Sequence, residues 1–208
     1  MSVISLVTQK GGCGKTTLTT CLAVVAQQTG RHVVILDTDP QATASQWWES
    51  REDKTPALLE VKGEEIARAV AVVQDKGFDL VIIDTPARAE PINAAAAQMA
   101  DFCLIPCQPS LADMRAQSPT VQTLKHLEKR GAFVLTRCPP RGSRTKEAER
   151  GLLVFGLPVS PMTIGNRAAY PDAYGSGLGV TEYEPVGKAA EEMRALWTWI
   201  LHKMEKVV

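Results

Sequence analysis

The stretch "TQKGGCGKTT" (residues 8–17) follows directly on a short apolar run, Val3–Val7, and its reading decides the fold. A loop that holds phosphate needs glycines, so that successive backbone N–H groups turn inward, and then a helix whose N-terminal dipole faces the anion. Gly11, Gly12 and Gly14 supply the glycines, and Thr16–Thr29 reads as the helix. Strand, glycine loop and helix in that order make a phosphate loop. Lys15 then reaches the β- and γ-phosphates, and Thr16 places its hydroxyl on Mg²⁺. The match to G-x-x-x-x-G-K-[ST] is partial, because Gln9 stands where the first glycine belongs. A second lysine, Lys10, has no role in that generic pattern.

Outward from the loop, short β-branched runs alternate with helical patterns. Val33–Asp37, Asp79–Asp84, Phe102–Pro106 and Ala132–Thr136 read as strands, with weaker ones near Leu59 and over Val159–Thr163. Ile92–Met99, Met114–Lys129 and Lys146–Phe155 read as helices, and the segment after Asp37 through Lys54 reads as polar. The alternation predicts an α/β fold: a mostly parallel twisted sheet with helices on both faces. No repeat or linker divides the chain, so one domain is expected over residues 1–208.

In such a sheet the carboxyl ends of the strands line one crevice, where ligands bind. The phosphate loop, Asp37 with Asp39 in "DTDPQ", Asp84 in "LVIIDTPA", and "PCQPS" all fall there. A carboxylate at the tip of a buried strand is costly without a cation, which points to Asp84 as an indirect Mg²⁺ anchor. If the second strand continues, Asp37 and Asp39 face the same side; one helps hold the metal while the other orients a water.

Composition excludes several classes. Of 208 residues, 45% are apolar, enough for a sizeable core. The longest apolar runs, "VVIL" and "LVII", are too short to cross a bilayer, and residues 2–7 lack the features of a secretory signal, so a cytoplasmic protein is expected. Five cysteines (Cys13, Cys21, Cys103, Cys107 and Cys138) without zinc-ribbon spacing predict reduced thiols. Net charge is zero, but residues 37–65 carry eight acids against three bases, and residues 125–150 carry eight bases against three acids. A one-sided basic surface can follow from that asymmetry.

"KGGCGKTT" resembles the deviant Walker A motif of the ParA/MinD family of ATPases, in which the early glycine is absent and an extra lysine precedes the glycine pair. The resemblance implies an ATP- and Mg²⁺-dependent ATPase that forms a face-to-face homodimer. It implies that Lys10 reaches the nucleotide of the other subunit, and that Lys10, Gly11, Gly12, Cys13, Gly14, Lys15, Thr16 and Thr17 bind nucleotide. "DTDPQ" is similar to the family's switch I, with Asp39 positioning the hydrolytic water, and "IIDTPA" to Walker B and switch II. Thr16, Asp37 and Asp84 are thereby the metal residues. "LIPCQPS" is similar to the strand-to-helix segment near the nucleotide, where Pro106 lies, and "IGNRAAYPDAYGSGLGV" to the stretch before the last helix.

"DPQATASQWW" runs like the plasmid-partition branch of the family, and the loop strand begins at residue 2, so an N-terminal helix-turn-helix is not expected. The branch implies non-specific double-stranded DNA binding by the ATP-bound dimer, and a ParB-like or cargo-adaptor partner that stimulates slow hydrolysis. When ATP-bound the protein would associate with the nucleoid. Arg141, Arg144, Lys146, Arg150 and Arg167 are the candidate DNA contacts. Positioning of a protein cargo by the same cycle is an alternative. Another is a MinD-like membrane cycle, suggested by an apolar stripe in "AAEEMRALWTWILHKMEKVV". Iron-protein relatives share the loop, so Cys103 and Cys107 offer a redox reading, which their place beside a buried strand disfavours. The 138–142 turn and Tyr170–Gly179 are expected near a dimer or partner surface.

Overall fold

A computed structural model describes residues 1–205. Six strands form one parallel sheet: β1 (Ser2–Leu6), β2 (Val33–Asp37), β3 (Ala57–Glu60), β4 (Leu80–Asp84), β5 (Phe102–Cys107) and β6 (Gly131–Leu135). Their spatial order is β3-β2-β4-β1-β5-β6. The chain leaves central β1 for one side of the sheet and later crosses to the other, so the phosphate loop sits where the winding reverses.

Runs such as Val33-Val34-Ile35-Leu36 are buried along their whole length because helices cover both faces. Alternate side chains divide the core. On one face Ile4, Leu6, Ile35, Ile82 and Leu104 pack against α1 (Lys15–Gln28) and α10 (Lys188–Glu205), joined by α2 (Thr43–Glu49), α8 (Ala169–Gly175) and α9 (Val180–Tyr183). On the other, Val34, Leu36, Val81 and Ile83 meet α3 (Ile66–Asp75) and α4 (Glu90–Met99). Ile105, Phe133 and Leu135 meet α6 (Ser118–His126) and α7 (Arg144–Leu153).

Three expectations need correction. The helix expected over 114–129 is two: α5 (Leu111–Arg115) and α6, with Pro119 in the first turn of α6. Proline is accommodated at a helix start but not inside one. Residues 159–163 form no strand; Phe133–Val159 and Cys138–Gly165 are isolated parallel bridges beside β6. The segment after Asp37 contains α2, whose Trp47 is buried.

Candidate functional site

The phosphate loop runs from the end of β1 to the first turn of α1. Gly12 (φ 74°) and Gly14 (φ 94°) are left-handed, which a side chain would resist, and Gly14 caps α1. Three side chains brace the loop, two from outside it and one from within. Gln108 Nε2 donates to Gly12 O at 2.9 Å, Thr136 Oγ1 to Cys13 O at 2.7 Å, and Cys13 Sγ to Lys10 O at 3.2 Å. Lys15 is buried, and its Nζ donates to the carbonyls of Thr8 and Lys10, each at 3.4 Å. A lysine folded against its own loop's carbonyls is positioned at a phosphate cradle and needs only a short swing to reach an anion.

Parallel pairing sets Asp37 beside Asp84 in register, one strand from the loop. Asp84 is fully enclosed: Oδ2 accepts from Thr16 Oγ1 at 2.7 Å and Oδ1 from Thr19 Oγ1 at 3.2 Å. Burial pushes its pKa up to about 7, against the lowering effect of Thr16, with the neighbouring Asp37 adding to the rise. Burial also raises Asp37, whose Oδ2 accepts from Ser45 N at 2.9 Å and Ser45 Oγ at 3.0 Å. Two carboxylates held above their usual range beside a threonine hydroxyl form a hard oxygen donor set that a small divalent cation would relieve. Among the described residues no group of three or more His, Cys, Asp or Glu side chains could cage a metal. An all-oxygen set of two carboxylates and a hydroxyl suits Mg²⁺, which takes few protein ligands and completes its shell with water and phosphate oxygens.

Strand β2 does not continue through Asp39. Asp39 Oδ1 accepts from Gln41 N at 3.0 Å and Asp39 O from Ala42 N at 2.8 Å, a turn with Pro40 inside it and Ala42 left-handed. Asp37 and Asp39 thus diverge: Asp37 is anchored beneath α2, and Asp39 is half-exposed at the rim.

Lys10 is 41% exposed and turns back to its own chain, with Nζ 3.6 Å from Asp113 Oδ1 on α5. Ser110 Oγ holds the other oxygen of Asp113, and Gln117 links Asp113 O to Thr8 Oγ1. That polar chain joins α5 to the loop and carried no signal in the sequence beyond its place in "CQPSLAD". Thr17 lines the cleft described next. Pro106 is buried within β5 opposite Val134 and lies outside that lining; Gln108, two residues on, makes the contact with the loop.

From Gly14, Thr16 and Thr17 a cleft of about 540 Å³ opens between Thr43 and Tyr174 on one side and Arg137, Asn166 and Arg167 on the other. Its size and position suit a nucleoside extending from the phosphates. Tyr170 and Tyr174 line this cleft: Tyr170 is buried, and Tyr174 Oη donates to Thr43 O at 2.8 Å. Arg167 lies at the mouth in an ion pair with Glu192 on α10, unlike Arg141, Arg144, Lys146 and Arg150. Those four are exposed on α7 and the loop leading into it, without an acidic partner among the described residues. All five cysteines are free and buried, and burial pushes Cys103 and Cys107 up to about 12, so neither offers a thiolate.

Comparison with known proteins agrees with this geometry. The family described as "CobQ/CobB/MinD/ParA nucleotide binding domain" matches residues 4–180. The maintenance of carboxysome distribution protein A of Halothiobacillus neapolitanus is 30% identical, over 88% of this chain and 88% of that one. The protein of the same name from Gloeobacter kilaueensis is also 30% identical, over 98% of this chain and 94% of its own. Among solved structures, the cell division ATPase MinD of Pyrococcus furiosus shares the fold with a TM-score of 0.81 and 22% identity, covering 97% of this chain and 99% of that chain. The chain belongs to the CobQ/CobB/MinD/ParA nucleotide-binding family.

Proposed function

We propose that the protein is an ATP-driven positioning switch: two copies sandwich two Mg·ATP, the dimer holds non-specific DNA, and hydrolysis stimulated by a partner on the cargo releases it. The observation that carries this reading is the two-lysine loop, with Lys15 buried in the cradle and Lys10 partly exposed at its rim. A lysine contributed by a second chain completes the phosphate clamp only when dimer and ATP coincide, which couples assembly to nucleotide state. Thr16, Asp84 and Asp37 would hold Mg²⁺, which supplies positive charge at the β- and γ-phosphates. Lys15 binds the same phosphates, and Asp39 at the rim orients the attacking water. Turnover is slow until the partner is engaged, because among the described residues no arginine side chain donates a hydrogen bond to the phosphate loop.

The cargo favoured is a protein assembly, because the two relatives at 30% identity are both named for carboxysome distribution. Plasmid or chromosome partition by the same cycle is the second reading, carried by the plasmid-like run after Asp39. A membrane cycle has less to use. Of the stripe Ala190, Met193, Leu196, Trp197, Ile200, Leu201 and Met204, the first five are buried and the last two are partly buried against the core, while Lys206 lies outside the described residues. No helix among the described residues is long and apolar enough to cross a membrane.

Binding to random-sequence duplex DNA, titrated with no nucleotide, ADP, ATP and a slowly hydrolysed analogue, tests the cycle. Binding is expected only with the triphosphates, weakening steeply with salt, and reversal of charge at Lys146 and Arg150 should cost about tenfold or more. Absence of binding in every state would shift the reading to the membrane, and liposomes would replace DNA.

A further inference from the structure

Glu192, on the first turns of α10, gathers four donors from the cleft wall: its Oε1 accepts from Arg167 Nε at 3.0 Å and from Arg167 Nη2, and its Oε2 from Gly165 N at 3.2 Å and Tyr170 Oη at 3.1 Å. One half-buried carboxylate thereby fastens both ends of the turn Gly165–Arg167 and the start of α8, all of which line the cleft. Opposite, the same turn is tied to the sheet, with Asn166 N donating to Cys138 O and Cys138 N to Ile164 O, each at 2.9 Å. The absence of a side chain at Gly165 permits the clamp. A methyl group there would lie 3.0 Å from Arg167 Nε and 3.1 Å from Glu192 Oε1. Glu192 has no role assigned from the sequence; the stretch that contains it stands out there only for its apolar stripe.

We propose that Glu192 is a positioning residue for the nucleoside end of the site: it sets the Gly165–Arg167 wall at the distance the base requires, while the phosphate loop acts independently of it. The proposal rests on the reading that a nucleotide occupies this cleft. The wall belongs to a turn, and a turn fixed from one side only samples several positions, so binding would have to order it first. Charge-assisted hydrogen bonds to a carboxylate are the strong class, which suits them to that task.

The test compares the parent with Glu192→Ala and Glu192→Gln, measuring affinity for ATP and, separately, for inorganic tripolyphosphate, which has no base to meet the wall. The Ala variant is expected to lose about tenfold or more in ATP affinity, with KM raised and kcat held, while tripolyphosphate binds as in the parent. The Gln variant keeps the shape and one acceptor and should fall between. If the Ala variant does not fold, the Gln variant carries the comparison alone. ATP affinity within twofold of the parent would overturn the proposal, as would equal losses for ATP and tripolyphosphate, the mark of a merely structural residue. If the parent itself binds tripolyphosphate but gains nothing from the nucleoside, the underlying nucleotide reading fails, and the positioning role with it.

Discussion

At the scale of single residues, Asp84 shows how burial raises an ordinary carboxylate to a pKa that a nearby cation would lower. Its folded pKa of about 7 lies above the unfolded value of about 3.9. Between those values the folded chain keeps a proton that the unfolded chain has lost, so stability without metal falls as pH rises through the window, by up to about 1.4 kcal/mol per unit. The metal-free melting temperature should therefore drop from pH 5 to pH 8, and Asp84→Asn should flatten that dependence while abolishing Mg²⁺-dependent hydrolysis. An unchanged slope in the variant would place the titration elsewhere. Asp84 was legible in the sequence because a carboxylate closing "LVII" breaks a buried run. Thr19 and Ser45, which complete the hydrogen bonds of Asp84 and Asp37, were not: each is one polar residue in a helix, and only the fold aims it inward.

At the scale of elements, the strands were legible wherever β-branched residues ran four or five together, and the losses came where local pattern and tertiary demand diverged. Apolar periodicity continues across residues 114–129, but Pro119 and the fully buried Gln117 divide it into two helices. Helix α2 was read as polar because its seven residues are too few to show an apolar period, although Ala44 and Trp47 seat it in the core. Arg51, just beyond its end, is buried, donating to Glu182 Oε1 and Oε2 at 2.9 Å and to Gly177 O at 2.7 Å, with its guanidinium over Trp47. These contacts fasten α2, and with it the rim that carries Asp39, to α9. Arg51→Met leaves Glu182 and the Gly177 carbonyl short of partners, and should destabilise the protein by about 3 kcal/mol in urea unfolding. A change below about 1 kcal/mol would mean that desolvation of the pair nearly cancels its attraction.

At the scale of the whole molecule, the proposed cycle turns on how one partly exposed lysine would make a folded chain half of an assembly. Lys10 lies against Asp113, whose Oδ1 is buried and accepts no hydrogen bond, so the lysine charge is the nearest compensation that oxygen has. On the proposed cycle, Lys10 must exchange this carboxylate for a phosphate held by the other copy. The hold is a partly exposed pair, worth at most about 1 kcal/mol. Asp113→Asn removes the charge while keeping the shape, and should let the dimer form with a slowly hydrolysed ATP analogue at about two- to fivefold lower protein concentration. Lys10→Ala should bind nucleotide as a monomer and fail to dimerise, and the double variant should behave like Lys10→Ala, because Asp113 acts only through the lysine. Sedimentation of the four proteins at matched nucleotide saturation reads all of these outcomes. Weaker dimerisation by Asp113→Asn would reverse the assignment: Asp113 would then aim Lys10 across the interface instead of detaining it. A Lys10→Ala protein that dimerised like the parent would remove the lysine from the assembly step altogether.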